Sequence, residues 1–268
     1  MGFESLCGSH IVPPAEALTR FARARLTLES ASAADARQVC GPPLDVVRRL
    51  VALPGSFNPP HRAHQALLRS ARDEWHADAA VFVLSVRTVD KERVSGLWLE
   101  DRLWLLCELS ATETAIVATN RGLYFEQALA LRALCPKLQT LAFVTGYDKI
   151  VQIFDARYYD DRDAALDQLF ARAEFLVAPR GDATTRNLTD LLSRPENARY
   201  ASRVRALPVA PDLALVSSTR ARERGEVADV PELVASFIRE TGCYEDPVPA
   251  AYAARGAAIR AAARAQGV

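Results

Sequence analysis

Residues able to do chemistry gather in three short stretches of this chain. The first is Gly55-Ser56-Phe57-Asn58-Pro59-Pro60-His61-Arg62-Ala63-His64, which follows the apolar run Leu50–Leu53 and opens a helical pattern from His61 to about Trp75. A glycine turn and two histidines thus stand where a strand hands over to a helix. At such a junction backbone N–H groups and the positive helix end both face a phosphate. His61 and His64, three apart, share one face of the first helical turn. Pro59 and Pro60 suit the approach to a helix. As a bare pair the histidines could also be half a metal site or polar surface. A zinc site is disfavoured, because His10 and His76 carry no motif and the cysteines are scattered.

The second stretch, Val216-Ser217-Ser218-Thr219-Arg220-Ala221-Arg222, follows Leu213–Val216. It reads as another strand-to-helix junction, with hydroxyls and an arginine to offer a phosphate chain. Read alone, it is an N-cap. The third is Phe143-Val144-Thr145-Gly146-Tyr147-Asp148, a strand end followed by Gly-x-Asp, which alone would be a helix cap.

The elements that must carry them follow from periodicity. Apolar runs at 51–53, 81–86, 116–118, 141–145, 175–178 and 213–216 alternate with helical patterns at about 61–75, 99–111, 123–134, 148–154, 162–172, 186–194, 218–224 and 231–240. Short apolar strands interleaved with helices predict an α/β fold, a Rossmann-like doubly wound parallel sheet with helices on both faces. Ligands of such sheets sit beyond the strand C-terminal ends, and all three stretches fall just after a predicted strand. Residues 1–48 read as an N-terminal helical extension packed on the core, with an amphipathic helix over 15–27 whose Leu18, Phe21 and Leu26 share a face. Residues 49–245 read as the main domain. Residues 246–268 read as a helical tail that buries little.

Composition narrows the function classes. The chain has 268 residues, half of them apolar, and a formal net charge of zero. That is enough for a sizeable core and gives no sign of a polyanion binder, so no nucleic-acid partner is expected. No apolar run is long enough to span a membrane. Five cysteines (Cys7, Cys40, Cys107, Cys135, Cys243) show no paired spacing, so no disulfide framework is expected and a cytoplasmic location fits.

The first stretch resembles the GxFxPxHxGH signature of the nucleotidyltransferase superfamily, which includes the nicotinamide and nicotinate mononucleotide adenylyltransferases. Ala63 stands where the signature ends its turn with glycine. The second resembles that superfamily's ISSTxIR, with Ala221 in place of an aliphatic residue, and the third its GxD. Phe154–Tyr159, Phe175–Arg180, Pro231–Ile238 and the closing Gly242-Cys243-Tyr244 extend the likeness over about 50–245.

The resemblance implies ATP-dependent adenylyl transfer to a mononucleotide, with pyrophosphate leaving and Mg²⁺ arriving on the ATP phosphates, without a dedicated protein metal site. It implies that His64 donates to the α-phosphate and that His61 orients the β- and γ-phosphates. Ser217, Ser218, Thr219 and Arg222 would hold the departing pyrophosphate, with Arg222 counted among the catalytic groups. Gly55, Ser56 and Phe57 would let the backbone approach ATP, and Gly146 and Asp148 would hold its ribose. Lys91, Arg102 and Arg180 are candidates for the acceptor's phosphate, and Tyr158 for stacking on its base, where many relatives carry a tryptophan. Trp98 and Trp104 read as core. A different acceptor, CTP as donor, or a non-catalytic nucleotide-binding protein remain open, as does a homo-oligomer.

Overall fold

The computed structural model describes residues 13–87, 96–110, 112–178, 185–208 and 230–265. The strand read at 213–216 and the helix read at 218–224 lie outside them. In chain order the elements are α1 (Ala15–Ser30), β1 (Ala36–Cys40), β2 (Arg49–Pro54), α2 (Arg62–Glu74), β3 (Ala79–Ser85), α3 (Leu99–Ser110) and β4 (Ala115–Thr119). There follow α4 (Tyr124–Leu134), β5 (Thr140–Gly146), α5 (Tyr147–Phe154), α6 (Arg162–Phe170), β6 (Glu174–Ala178), α7 (Thr185–Leu192) and β7 (Val204–Ala206). The helices α8 (Glu232–Thr241) and α9 (Ala250–Ala265) close the chain.

The strands form one sheet in the order β1-β4-β3-β2-β5-β6-β7. All neighbours are parallel except β1, which runs antiparallel to β4 along one edge. The apolar runs are strands buried on both faces, and their period of two divides them between two cores. Val51, Leu53, Phe82, Leu84 and Val144 point to one core with Leu68 of α2, Leu103 of α3 and Phe237 of α8. Leu50, Ala52, Val81, Val83 and Phe143 point to the other with Leu131 of α4, Ile150 of α5 and Leu166 of α6. The protein is therefore a doubly wound, Rossmann-like α/β fold. From β2 the chain moves outward through β3 to β4, with α2 and α3 on one face. It returns beneath α4 to β5 on the other side of β2 and moves the opposite way. The direction reverses between β2 and β5, which pair in parallel with Leu50 opposite Leu141 and Ala52 opposite Phe143. That reversal is where such sheets open a crevice for a ligand.

Several sequence expectations are corrected. Residues 36–40, inside the stretch read as helical, form the edge strand β1. Its sequence, Ala-Arg-Gln-Val-Cys, lacks an apolar run because an edge strand has water on one side. In α1 the buried positions are Leu18, Phe21, Ala22 and Leu28, with Leu26 only half-buried. Cys40 and Cys107 form a disulfide between β1 and α3, closing a separation of 67 residues. Spacing could not reveal it, because tertiary packing brings the two together, and the bond removes the cysteine argument for a reducing compartment. Cys135 and Cys243 are free and buried, and burial pushes both thiols up to about 11.

The tail is not loosely held. Tyr252 and Ala263 of α9 are buried, α9 packs along α1, and Arg255 forks onto the fully buried Asp101 of α3 at 2.7 and 3.2 Å. Small residues allow this closeness: a Cβ on Gly256 would stand 2.6 Å from the Trp98 ring. Trp104 packs on Phe237, and Trp98 stacks on Tyr252. Among the described residues no helix is long and apolar enough to cross a membrane.

Candidate active site

The first motif leaves the sheet at the switch point. Gly55 extends the β2–β3 ladder by one bond, its N–H donating to Val83 O at 3.0 Å. The chain then turns inward at Phe57, whose φ of 47° is left-handed and costly for a residue with a Cβ. What holds it there is burial. The Phe57 ring is 1 % exposed and meets Phe82 edge-on. Gly55 must be glycine because a Cβ there would lie 2.8 Å from that ring. Asn58 is also buried. Its Oδ1 accepts from Leu97 N–H at 3.1 Å and from the Tyr244 hydroxyl at 2.7 Å.

His61 is the N-cap of α2, with extended backbone, and His64 closes the first turn. Their rings stack with centroids 3.5 Å apart, and the Phe57 ring meets His64 edge-on. The His61 N–H donates to Nδ1 of His64 at 3.2 Å. That bond has a chemical consequence: Nδ1 is an acceptor, so the neutral ring carries its proton on Nε2. Burial, together with the neighbouring His61, holds the His64 imidazole well below the usual histidine range. The site therefore presents a neutral imidazole whose other nitrogen, Nε2, is a donor. Ala63, where the signature has glycine, is buried, so its methyl packs inside the protein.

This depression is linked to stability. The unfolded chain takes up a proton on His64 near pH 6.5 while the folded chain does not, so below that pH the unfolded state binds more protons. Stability from this group is complete above 6.5 and declines as pH falls below it. His64→Gln should flatten the loss between pH 7 and 5.5 relative to wild type, as read by urea unfolding. Equal slopes for the two proteins would remove the linkage.

The third motif stands beside the first, since β5 pairs with β2. Gly146 is the N-cap of α5, with no side-chain cap bond, and Asp148 lies exposed in the first turn, a favourable place for a carboxylate. The sequence pattern places this helix at 148–154; the backbone starts it one residue earlier, at Tyr147. Among the described residues, a Cβ built on Gly146 meets nothing within 4 Å. Thr145, buried just before it, is 2.9 Å from the hydroxyl of Tyr124.

The remaining candidates are spread more widely. Arg102 does not face the open cleft. It is 6 % exposed, and its Nη1 donates to the carbonyl of Ser56 at 2.7 Å, beneath the loop. Tyr158 is 63 % exposed at the end of a 3-10 turn beyond α5, while Tyr159 is engaged with the carbonyl of Ile153. Lys91, Arg180, Ser217, Ser218, Thr219 and Arg222 lie outside the described residues. Sequence reasoning picked out Arg102 but passed over Glu100 and Asp101 beside it. Each of the three is buried and holds a different part of the protein: Arg25 of α1, Arg255 of α9 and the Ser56 carbonyl respectively. The available signal was a charged triplet inside a helix apolar all round, where charges persist only if paired. A concavity of about 640 Å³, lined by Leu44, Arg69, Arg72, Asp78 and Ala115, opens at the opposite end of the sheet, where β3 and β4 begin. It meets none of the three motifs.

A glycine turn, a histidine pair and the start of α5 thus stand at the switch point of a doubly wound sheet, the place where such folds bind ligands. A family model described as Cytidylyltransferase-like matches residues 52–224, more than half of the chain, and the chain belongs to that family. It is a nucleotidyltransferase. Among curated proteins it is similar to a probable nicotinate-nucleotide adenylyltransferase of Gloeobacter violaceus, 28 % identical over 218 residues, which are 75 % of this chain and 98 % of the relative. It is likewise similar to one of Neisseria meningitidis, 27 % identical over 200 residues, 71 % of this chain and 95 % of that one. Among solved structures, the fold matches the nicotinic acid mononucleotide adenylyltransferase of Plasmodium falciparum complexed with NaAD. The TM-score is 0.54 at 16 % identity, over 74 % of this chain and 97 % of that one.

Proposed function

We propose that this protein transfers the adenylyl group of ATP to nicotinate mononucleotide, or to its nicotinamide counterpart, forming the dinucleotide and releasing pyrophosphate. The names of the curated relatives favour the nicotinate form. The observation that carries the reading is the bond from His61 N–H to Nδ1 of His64. It leaves Nε2–H as a donor, suited to a phosphate oxygen on which charge grows. In this reading the acceptor's phosphate oxygen attacks the α-phosphorus in line, and the bond to the bridging oxygen of pyrophosphate breaks. His64 donates to the α-phosphate and His61 orients the β- and γ-phosphates. Gly55, Ser56 and Phe57 shape the turn, and Gly146 and Asp148 take the ribose. Ser217, Ser218, Thr219 and Arg222 receive the pyrophosphate. Lys91 and Arg180 serve the acceptor's phosphate and Tyr158 its base, while Arg102 contributes through the Ser56 carbonyl that it holds.

Mg²⁺ fits this site as a passenger on ATP. Among the described residues no three His, Cys, Asp or Glu side chains converge on one point, and Mg²⁺ readily keeps water and phosphate oxygens as ligands. Bound there it would offset charge on the transferring phosphoryl group. In this reading the enzyme acts on two small nucleotides.

The test is pyrophosphate release from Mg-ATP with a panel of acceptors: nicotinate mononucleotide, nicotinamide mononucleotide, phosphopantetheine and none. CTP replaces ATP in a parallel series. The expected result is release with ATP and a pyridine mononucleotide, nicotinate faster. Release only with phosphopantetheine or CTP, or none with any pair, overturns the proposal.

A further inference from the structure

The loop that presents His61 and His64 is tied from below by a residue near the far end of the folded chain. The Tyr244 hydroxyl donates to Oδ1 of Asn58 at 2.7 Å across 186 positions of sequence, and the same oxygen accepts from Leu97 N–H at 3.1 Å. The approach is close by design of the backbone. Gly96 has a left-handed φ of 98°, and a Cβ there would stand 2.1 Å from the Tyr244 ring and 3.0 Å from Asn58 Oδ1. Tyr244 follows Gly242, whose φ of 59° ends α8. Asn58 itself is 5 % exposed and lies between the strained Phe57 and the N-cap His61.

We propose that Tyr244 is a positioning residue: through Asn58 it sets the turn that aims the two histidines, so the C-terminal segment is part of the site's machinery. A buried amide oxygen with two donors is rigid, and losing one donor frees the turn to relax. Small misplacement of a reacting group costs rate far more than binding.

The proposal rests on the nucleotidyltransfer reading, and its test separates the two. Tyr244→Phe keeps the ring that packs on Gly96 and removes only the hydroxyl. kcat should fall by about tenfold with KM for ATP changed by less than about twofold, the mark of a group acting on the transition state. In an Asn58→Ala background the same change should cost much less, because the contact the two residues share is already gone. Imidazole ¹H–¹³C resonances supply a readout independent of turnover. The chain has four histidines. In Tyr244→Phe those of His61 and His64 should shift, while that of His76, at the opposite end of the sheet, stays in place. Unmoved His61 and His64 resonances overturn the inference whether or not the wild type turns over. A wild-type kcat does the same, as does a variant altered only in its unfolding midpoint. Absence of wild-type turnover strikes the proposed function, and the resonances still decide this point.

Discussion

His64→Ala should lower turnover by about 100- to 1000-fold, the usual loss for one positioned donor to developing charge. The expectation follows from three features of the folded site. Nδ1 is occupied as an acceptor, burial beside His61 keeps the ring neutral, and the stack on His61 with the Phe57 edge fixes its plane. A neutral, oriented Nε2–H gains most when negative charge builds on the α-phosphate, and less in the ground state. ATP affinity by calorimetry should therefore change much less than kcat. His64→Gln keeps an N–H donor on a floppier stem and should retain part of the rate. A variant His64→Ala with turnover near wild type would take His64 out of the mechanism and leave the histidine pair as a helix-start device only.

Arg255→Ala should destabilise the protein by about 3 kcal/mol, the lower end of the loss when one partner of a buried ion pair is removed. Asp101 is completely buried. Burial pushes its carboxyl up, and the forked Arg255 and the Tyr252 hydroxyl act against that push. Without the guanidinium, one hydroxyl faces a buried carboxylate alone. Arg255→Lys should recover only part of the loss, because lysine keeps the charge but not the two-pronged geometry. Urea unfolding at constant m-value reads the effect. A change within about 0.5 kcal/mol, the range of ordinary surface substitutions, would show that α9 is held by its packing on α1 and Trp98 and that the ion pair contributes little.

Both expectations concern residues that the sequence reveals unequally. The histidines could be read directly. A glycine turn between a four-residue apolar run and a helical pattern can hardly fold as anything but a strand-to-helix junction. Two histidines three apart must then share the first turn. Strands fully buried in a parallel sheet write themselves as apolar runs, so β2, β3, β4, β5 and β6 are legible to within a few residues, and with them the doubly wound fold class, while the strand order comes from the structure. Gly146 and His61 were expected at one end of the sheet for the same reason.

What only the tertiary structure decided were the contacts made across long stretches of chain. The edge strand β1 borrows its ladder from β4 and so needs no apolar run of its own. The Cys40–Cys107 bond joins residues with no spacing signal. Arg102 carries a charge that suggests solvent or a phosphate, yet it lies buried against Ser56. Asp101 and Arg255, 154 positions apart, form one buried pair. Tyr244 reaches Asn58 from the other end of the domain. Local sequence encodes backbone conformation and the side of an element that seeks apolar neighbours, because those depend on residues one to four apart. It does not encode which partner satisfies a buried charge or amide. That partner is selected by the packed fold, through the cost of leaving such a group unpaired once water has been excluded.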